Sequence, residues 1–149
     1  AGDGNNVCNS YVEAAGKFGF NLYFYGPIQN IPHRELISTA KKSGSDIVIT
    51  QNAKEAFDEA DLIVTDTWVS MHDISAKKKI SALRPYQVDS KKMSYAKDDS
   101  IFLHCLPAHR GHEVVDEVID GTNSKVFDAA ENRMHVQKAI IKWVLNINF

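Results

Sequence analysis

The sequence predicts an α/β domain with a doubly wound, mainly parallel sheet and helices on both faces of that sheet. Three observations support this class. Short apolar runs of strand length alternate with stretches in which apolar residues recur at helical spacing. Glycine and proline mark the boundaries between these segments. A chain of 149 residues with 44% apolar content can form one core but not two ordinary domains, so residues 1–149 are interpreted as a single domain.

The first half of the chain contains three predicted helices and three predicted strands. Gly26-Pro27 closes the first strand, while Pro32 and Gly44 mark the start and the end of the second helix. Asn52 is a candidate N-cap of the third helix, and Glu55, three residues later, would complete a capping box. The predicted elements, in order, are a helix entered from a turn at 2–5, a strand at 20–25, a helix at 32–44, a strand at 46–50, a helix at 52–60 and a strand at 61–67.

The second half begins with a long, partly irregular connection at residues 68–87. A connection of this length inside a compact domain is typically a functional loop or a disordered segment. The elements predicted after it are a helix near 89–97, a strand ending at His104, a helix around 113–121, a strand at 124–128 and a final helix at about 130–149. The final helix carries apolar residues at helical spacing: Val136, Ala139, Ile140, Trp143 and Val144.

Composition argues against two classes of protein. Seventeen basic and nineteen acidic residues give a net charge of −2, without the basic excess that binding to a nucleic acid backbone requires. No apolar stretch approaches the roughly 20 residues that span a bilayer, so no membrane segment is expected. The two cysteines, Cys8 and Cys105, form no disulfide framework, which favours a reducing compartment and a cytoplasmic location. Cytoplasm is the default, and an organelle matrix is the alternative if a targeting segment has been removed.

Polar side chains follow three apolar segments of the predicted sheet, at residues 2–6, 66–71 and 104–106. The carboxyl ends of parallel strands share one edge, where ligands bind in open α/β sheets, so these segments are expected to converge. The Asp66 carboxylate would suit the ammonium group of an amino acid, although a turn or capping role is an open alternative. Adjacent strand residues face opposite sides, so His104 and Cys105 are not expected to form a catalytic pair. A buried, inert thiol is the alternative for Cys105.

Two further interpretations rest on local residue patterns. His104, Cys105, His109 and His112 have side chains that bind zinc, but their spacing matches none of the usual structural zinc patterns. The GDGNNVCN segment has Gly2 and Gly4, but Val7 stands where a dinucleotide-binding loop needs a third glycine or alanine. The zinc site therefore remains an alternative, and the dinucleotide site is disfavoured.

Five short motifs together resemble ornithine carbamoyltransferases, within the aspartate/ornithine carbamoyltransferase family. The motifs are GDGNN (2–6), DTWVSM (66–71), YQV (86–88), FLHCLP (102–107) and FDAAENRMH (127–135). Aspartate carbamoyltransferases differ at two of these places, because they have proline at the position of Cys105 and lack the Ser-Met pair. The resemblance covers essentially the whole chain and favours ornithine as the substrate. A non-catalytic domain that binds an amino acid or another protein remains an alternative.

The resemblance implies transfer of a carbamoyl group from carbamoyl phosphate to the δ-amine of L-ornithine, giving L-citrulline and phosphate. This is a reaction of arginine biosynthesis and of the urea cycle, and it implies no metal and no redox cofactor. It also implies roles for seven residues. Asn6, Asp66, Ser70 and the Met71 backbone amide would hold the amino and carboxylate groups of ornithine, Cys105 would lie beside the δ-amine, the carbonyls of Cys105 and Leu106 would accept hydrogen bonds from the carbamoyl NH2, and Arg133 would reach carbamoyl phosphate.

The resemblance also implies that this chain is one of two domains. The domain that binds carbamoyl phosphate and a central strand ahead of residue 1 have no counterpart here, and the final helix would pack on the absent domain. Members of the family assemble as homotrimers or larger oligomers mainly through that other domain, so a trimer is not expected of these residues. His72 replaces a glycine that usually follows the Ser-Met pair, which predicts altered closure of the loop over ornithine.

Overall fold

The computed structural model describes residues 1–69 and 76–146 of the chain. Helices and strands alternate along most of the chain, as the sequence predicts. The helices are α1 (Asn6–Phe18), α2 (Arg34–Lys42), α3 (Ala53–Phe57), α4 (Ala76–Leu83), α5 (Ser90–Met93), α6 (Asp116–Ile119) and α7 (Val126–Val144). The strands are β1 (Leu22–Tyr25), β2 (Ile47–Thr50), β3 (Leu62–Thr65) and β4 (Ile101–His104). No helix in the described ranges is both long enough and apolar enough to cross a membrane.

The four strands form two parallel pairs. The paired ranges are Leu22–Tyr25 with Ile47–Thr50, and Leu62–Thr65 with Ile101–His104. Parallel neighbours require a crossover connection, which α2 provides between β1 and β2 and the segment containing α4 and α5 provides between β3 and β4. The predicted α/β class with parallel strands is therefore confirmed. The sheet is divided between β2-β1 and β3-β4 in the described residues.

A gap separates the two strand pairs, between β1 and β3. The Leu22 N–H donates to the Asp46 carbonyl and the Asp61 carbonyl accepts from the Ile101 N–H. Because backbone groups of successive strand residues face opposite sides, those of Tyr23 and Leu62 point into this gap. A cavity of about 540 Å³ lies along the gap and is lined by both strands and by α1.

The first two residues bridge the gap at the carboxyl ends of the strands. The Ala1 nitrogen donates to the Val64 carbonyl at 2.7 Å, and the Gly2 N–H donates to the Tyr25 carbonyl at 2.8 Å. The segment that leads into α1 is thereby fixed at the edge of the sheet where the sequence predicts a site.

Two apolar clusters hold the layers together. The larger one surrounds β3 and β4 and includes the fully buried Phe102, Val88 and Val114. The smaller one packs α1 and α2 onto β2 through Val12, Ala15, Ala40 and Ile47. These contacts hold α1 on one side of the gap and β3 and β4 on the other.

Local interactions confirm the Asn52 cap but not its capping box. The Asn52 side chain accepts a hydrogen bond from the Lys54 N–H at the start of α3. The Glu55 carboxylate accepts instead from the Thr50 hydroxyl at 2.5 Å, and the oxygen of that hydroxyl accepts from the Asn52 N–H. Thr50 occupies the place that the capping box assigns to Glu55, so that prediction was wrong.

The predicted strand at 124–128 was also wrong. Only Ser124 forms a bridge, with Phe102, and α7 already begins at Val126. Val126 and Phe127 favour strands in isolation, but the helix formers Ala129 and Ala130 follow at once and the 19-residue helix incorporates both.

The long helix α7 is buried only at its start. Val126 is 1% exposed, whereas the apolar residues farther along are open to solvent. These exposed residues are Phe127, Met134, Val136, Ile140, Ile141, Trp143, Val144 and Leu145. The apolar row predicted from the sequence is therefore present on α7, but it has no packing partner among the described residues.

Candidate active site

Three segments meet at the carboxyl ends of β3 and β4, as the sequence predicts. The Asp66 carboxylate, just after β3, accepts a hydrogen bond from the Asn5 side-chain amide at 2.8 Å. It also accepts from the Cys105 thiol at 2.6 Å and from the Thr67 N–H at 2.7 Å. One carboxylate thus ties together the start of α1, the end of β3 and the end of β4.

Asn5 connects this site to the first turn of α1. Its side-chain oxygen accepts from the Cys8 N–H at 3.1 Å, which makes it the N-cap of the helix. Its side-chain nitrogen donates to Asp66. Because the two ends of one amide group bond in opposite directions, the orientation of Asn5 is fixed by both partners.

Cys105 is exposed at this edge, and its thiol is held in the protonated form. Partial burial, the hydrogen bond to Asp66 and the negative charge of Asp66 raise the pKa of Cys105 to about 11. The thiol therefore serves as a neutral donor to Asp66 near neutral pH.

The chain turns sharply after Cys105. Leu106 has a left-handed backbone with φ 53°, and the Leu106–Pro107 peptide bond is cis. The Pro107 carbonyl accepts from the Thr67 hydroxyl at 2.8 Å, which is the second connection between the segments after β3 and β4. The carbonyls of Cys105 and Leu106 thus belong to a turn that is tied to the Asp66 segment.

His104 faces away from the site, in agreement with the predicted alternation. Its ring is buried and lies 3.2 Å from the Glu113 carboxylate, measured between Nε2 and Oε1. Cys105 bonds to Asp66 on the other side. The two neighbours therefore do not form a Cys-His catalytic pair.

The Gly-Asp-Gly turn before α1 is held by close packing and by one ion pair. Gly2 has φ +105°, and a Cβ at this position would lie 2.6 Å from the Trp68 indole nitrogen. Asp3 pairs with Lys79 of α4 at 2.7 Å and accepts from the Asn30 side chain at 2.8 Å. The turn at residues 2–4 is thus connected to both ends of the segment that carries the Ser-Met pair.

The predicted site residues differ in where the structure places them. Asp66, Cys105 and Leu106 come together as described above. Asn6 is exposed at the first position of α1, and its side chain forms no hydrogen bond to a described residue. Arg133 is exposed on α7 and forms no ion pair with a described residue. Ser70, Met71 and His72 lie outside the described residues. The roles assigned to all of these residues remain predictions.

Two residues beside the site are not predicted from the sequence. Asn5 bonds directly to Asp66, and the preference for asparagine at helix N-caps was the available signal. The pKa of Tyr11 is raised mainly by burial and also by the nearby acidic groups of Cys105 and Asp66. No sequence signal identified Tyr11, because it is one of several apolar positions of α1.

The alternative zinc site is not assembled. Within residues 1–69 and 76–146, no three side chains of histidine, cysteine, aspartate or glutamate are grouped to hold a metal ion. His104 and Cys105 bond to different partners on opposite sides. His109 and His112 stack on each other, with ring centroids 5.9 Å apart.

Comparisons with known proteins agree on one family. A family model described as aspartate/ornithine carbamoyltransferase, Asp/Orn binding domain, matches residues 1–144. The ornithine carbamoyltransferase of Ruegeria pomeroyi is 54% identical over 146 residues, which are 97% of this chain and 47% of that protein. That of Paracoccus denitrificans is 50% identical over 149 residues, which are 99% of this chain and 48% of that protein. The chain spans about half the length of the curated relatives it matches.

Solved structures give the same result. The ornithine carbamoyltransferase of Pyrococcus furiosus superposes with a TM-score of 0.86 at 41% identity, covering 95% of this chain and 47% of that one. The anabolic enzyme of Campylobacter jejuni superposes with a TM-score of 0.89 at 36% identity, covering 97% and 50% of the two chains.

Proposed function

Because this chain belongs to the aspartate/ornithine carbamoyltransferase family, as its Asp/Orn-binding domain, we propose that the full-length protein carbamoylates L-ornithine. The amine nitrogen of ornithine bonds to the carbamoyl carbon of carbamoyl phosphate, and the bond from that carbon to the phosphate oxygen breaks. Citrulline and phosphate form, and the nitrogen releases a proton. The observation that carries this proposal is the Asn5–Asp66–Cys105 network at the ends of β3 and β4.

Ornithine rather than aspartate fits the charges of this half-site. The Asp66 carboxylate and the neutral Cys105 thiol form a group with one negative charge, which attracts ammonium groups and repels a second side-chain carboxylate. The proposed contacts to the amino and carboxylate groups of ornithine come from Asp66, Asn6 and Ser70, with the Met71 backbone assisting. The curated relatives at about 50% identity are also named for ornithine.

The main chemical barrier in this half-site is deprotonation of the amine. The δ-ammonium has a pKa near that of lysine, about 10.4, so its neutral form costs roughly 4–5 kcal/mol at pH 7. Removal from water favours the neutral amine. The N–H groups that remain on the neutral amine then donate hydrogen bonds to acceptors at the site, and we assign these acceptors to Asp66 and to the sulfur of Cys105. The carbonyls of Cys105 and Leu106 would accept hydrogen bonds from the carbamoyl NH2. Arg133 would stabilise charge on the leaving phosphate.

The other half of the site and of the fold belongs to the remainder of the protein. We propose that the second domain holds carbamoyl phosphate, packs on the apolar face of α7 and carries most contacts of a homotrimer. We further propose that an extended segment fills the gap between β1 and β3, since Tyr23 and Leu62 present backbone groups there and the relatives are twice as long. Two free cysteines favour a reducing, cytoplasmic setting.

The test is an assay of the full-length protein with carbamoyl phosphate and either ornithine or aspartate. We expect citrulline and phosphate in equal amounts with ornithine, and no carbamoyl aspartate. Cys105→Ala should lower kcat, whereas Cys8→Ala, which alters the half-buried thiol outside the network, serves as the matched control. Absence of citrulline formation, or a preference for aspartate, would contradict the proposal.

A further inference from the structure

A buried chain of hydrogen bonds lies directly behind the site and has no role in the reaction described above. The Leu106 N–H donates to Nδ1 of His104 at 2.8 Å. The Nε2 of the same ring lies 3.2 Å from Oε1 of Glu113, and the His109 N–H donates to that oxygen at 2.5 Å. The side chains of His104 and Glu113 are both completely buried. This series of hydrogen bonds therefore connects the turn after Cys105 to the loop that precedes α6.

These contacts determine the tautomer of His104. Because Nδ1 accepts from the Leu106 N–H, it carries no proton, and the proton of the neutral ring must be on Nε2. Nε2–H then donates to Glu113. A fully protonated ring would place two donors against each other at Leu106, so this arrangement requires neutral His104. His104 and Glu113 thus form a directed hydrogen bond and not an ion pair.

Leu106 needs such a restraint more than most residues. Its φ of 53° lies in the left-handed region, which is unfavourable for a leucine. The Leu106 N–H, which donates to His104 on the buried side, shares a trans peptide plane with the Cys105 carbonyl, so this carbonyl points in the opposite direction, away from His104. The orientation of that carbonyl is consequently set by the bond on the opposite face of the turn.

We propose that His104 is a positioning residue, which, held as the Nε2–H tautomer by Glu113, orients the Cys105–Leu106 turn toward the reacting groups. This proposal rests on the proposed function, since the Cys105 carbonyl is one of the two acceptors assigned there to the carbamoyl NH2. His104 touches no substrate in this scheme and acts only through Leu106.

Two substitutions separate the two hydrogen bonds of the ring. In His104→Asn the side-chain oxygen takes the place of Nδ1 and still accepts from Leu106, but Glu113 is not reached. In His104→Gln the amide nitrogen takes the place of Nε2 and still donates to Glu113, but Leu106 loses its acceptor. Both variants leave part of a buried network unmade, so both should lower stability to a similar extent.

Kinetics of the full-length variants distinguish positioning from a purely structural role. Without the bond from the Leu106 N–H to His104, the carbonyl that accepts a hydrogen bond from the carbamoyl NH2 in the transition state is displaced. We therefore expect His104→Gln to lower kcat by about 10–100-fold with little change in the KM for ornithine. His104→Asn should retain most of the wild-type kcat. Equal losses of kcat in both variants, in proportion to their loss of stability, would overturn the proposal.

A second readout does not depend on catalysis. In the wild type, the nitrogen-15 spectrum of His104 should show a proton on Nε2 and none on Nδ1. The Cys105 thiol should react faster with an alkylating reagent in His104→Gln than in His104→Asn, because movement of the turn weakens its bond to Asp66. A proton on Nδ1, or equal alkylation rates, would refute the positioning role even if citrulline forms. Absence of citrulline with the expected tautomer and rates would instead refute the proposed function alone.

Discussion

The substitution Asp66→Asn tests the centre of the site, because one carboxylate connects three segments. Its Oδ1 accepts from Thr67 and Cys105, and its Oδ2 accepts from the Asn5 amide nitrogen. An asparagine that keeps its oxygen toward Thr67 presents an NH2 group to the NH2 group of Asn5. Asn5 cannot rotate to relieve this contact without losing the bond from the Cys8 N–H.

The expected loss of stability follows from these contacts. A hydrogen bond to a charged group contributes about 1.5–3 kcal/mol, and loss of an N-cap costs typically about 1 kcal/mol. Whichever bond is given up, we expect the free energy of unfolding of this domain to fall by about 2 kcal/mol.

The same substitution changes the acidity of Cys105. Burial, which is the largest cause of its raised pKa, remains, and the amide oxygen that faces Thr67 can still accept from the thiol, but the negative charge of Asp66 is removed. The pKa of Cys105 should therefore fall from about 11 toward its ordinary value. Each unit of decrease raises the thiolate fraction about tenfold at a mildly alkaline pH.

Both effects are measured on the full-length protein. Hydrogen exchange of the Cys8 amide reports the cap, and alkylation resolved by peptide mass separates Cys105 from Cys8. Asp61→Asn is the control, because Asp61 is 83% exposed and its pair with Lys97 contributes less than about 1 kcal/mol. Unchanged Cys8 exchange and unchanged Cys105 alkylation in Asp66→Asn would refute this account of the site.

Three further predictions concern catalysis, association and packing. Cys105→Ser, which keeps a donor to Asp66, should retain more kcat in citrulline formation than Cys105→Ala, and equal values would contradict a role for this hydrogen bond. The isolated 149-residue chain should form no citrulline. It should associate at micromolar concentration through its open strand edges and the α7 face. A monomer in light scattering that unfolds cooperatively would refute the association. Gly2→Ala should lower the unfolding free energy by more than Gly19→Ala, since both glycines have positive φ but only Gly2 lies against Trp68, and equal losses on chemical denaturation would show that this packing is unimportant.

Much of the fold was predictable because it depends on local periodicity. The strands before Asp66 and Cys105 and the long helix α7 were located from their apolar patterns alone. The shared edge of the parallel strands then predicted that these two residues would meet. The strand at 124–128 was mispredicted because Val126 and Phe127 have strand propensity, while the preference of the following residues for helix decides the outcome.

The rest of the site depends on contacts that no sequence period encodes. Asn5 and Asn6 are adjacent residues of the same type, and only the geometry of the first turn of α1 shows that Asn5 is the one bonded to Asp66. The contact of His104 with Glu113 joins residues nine positions apart across an irregular loop. Thr50 displaces Glu55 from its capping box because a third residue competes for the bond. Each of these outcomes is decided by the three-dimensional arrangement of particular side chains.

The contrast between the two tryptophans of this chain has a practical consequence. Trp68 is 2% exposed and adjoins the Asp66 segment, whereas Trp143 is 79% exposed on the outer part of α7. A buried indole emits at shorter wavelength than one in water and is shielded from dissolved quenchers. Binding of an amino acid beside Asp66 should change the short-wavelength emission of Trp68, which is shielded from quenchers. Coverage of α7 should change the long-wavelength emission of Trp143, which quenchers reach. A single unlabelled sample can therefore record, in two optical channels, when the half-site fills and when α7 is covered.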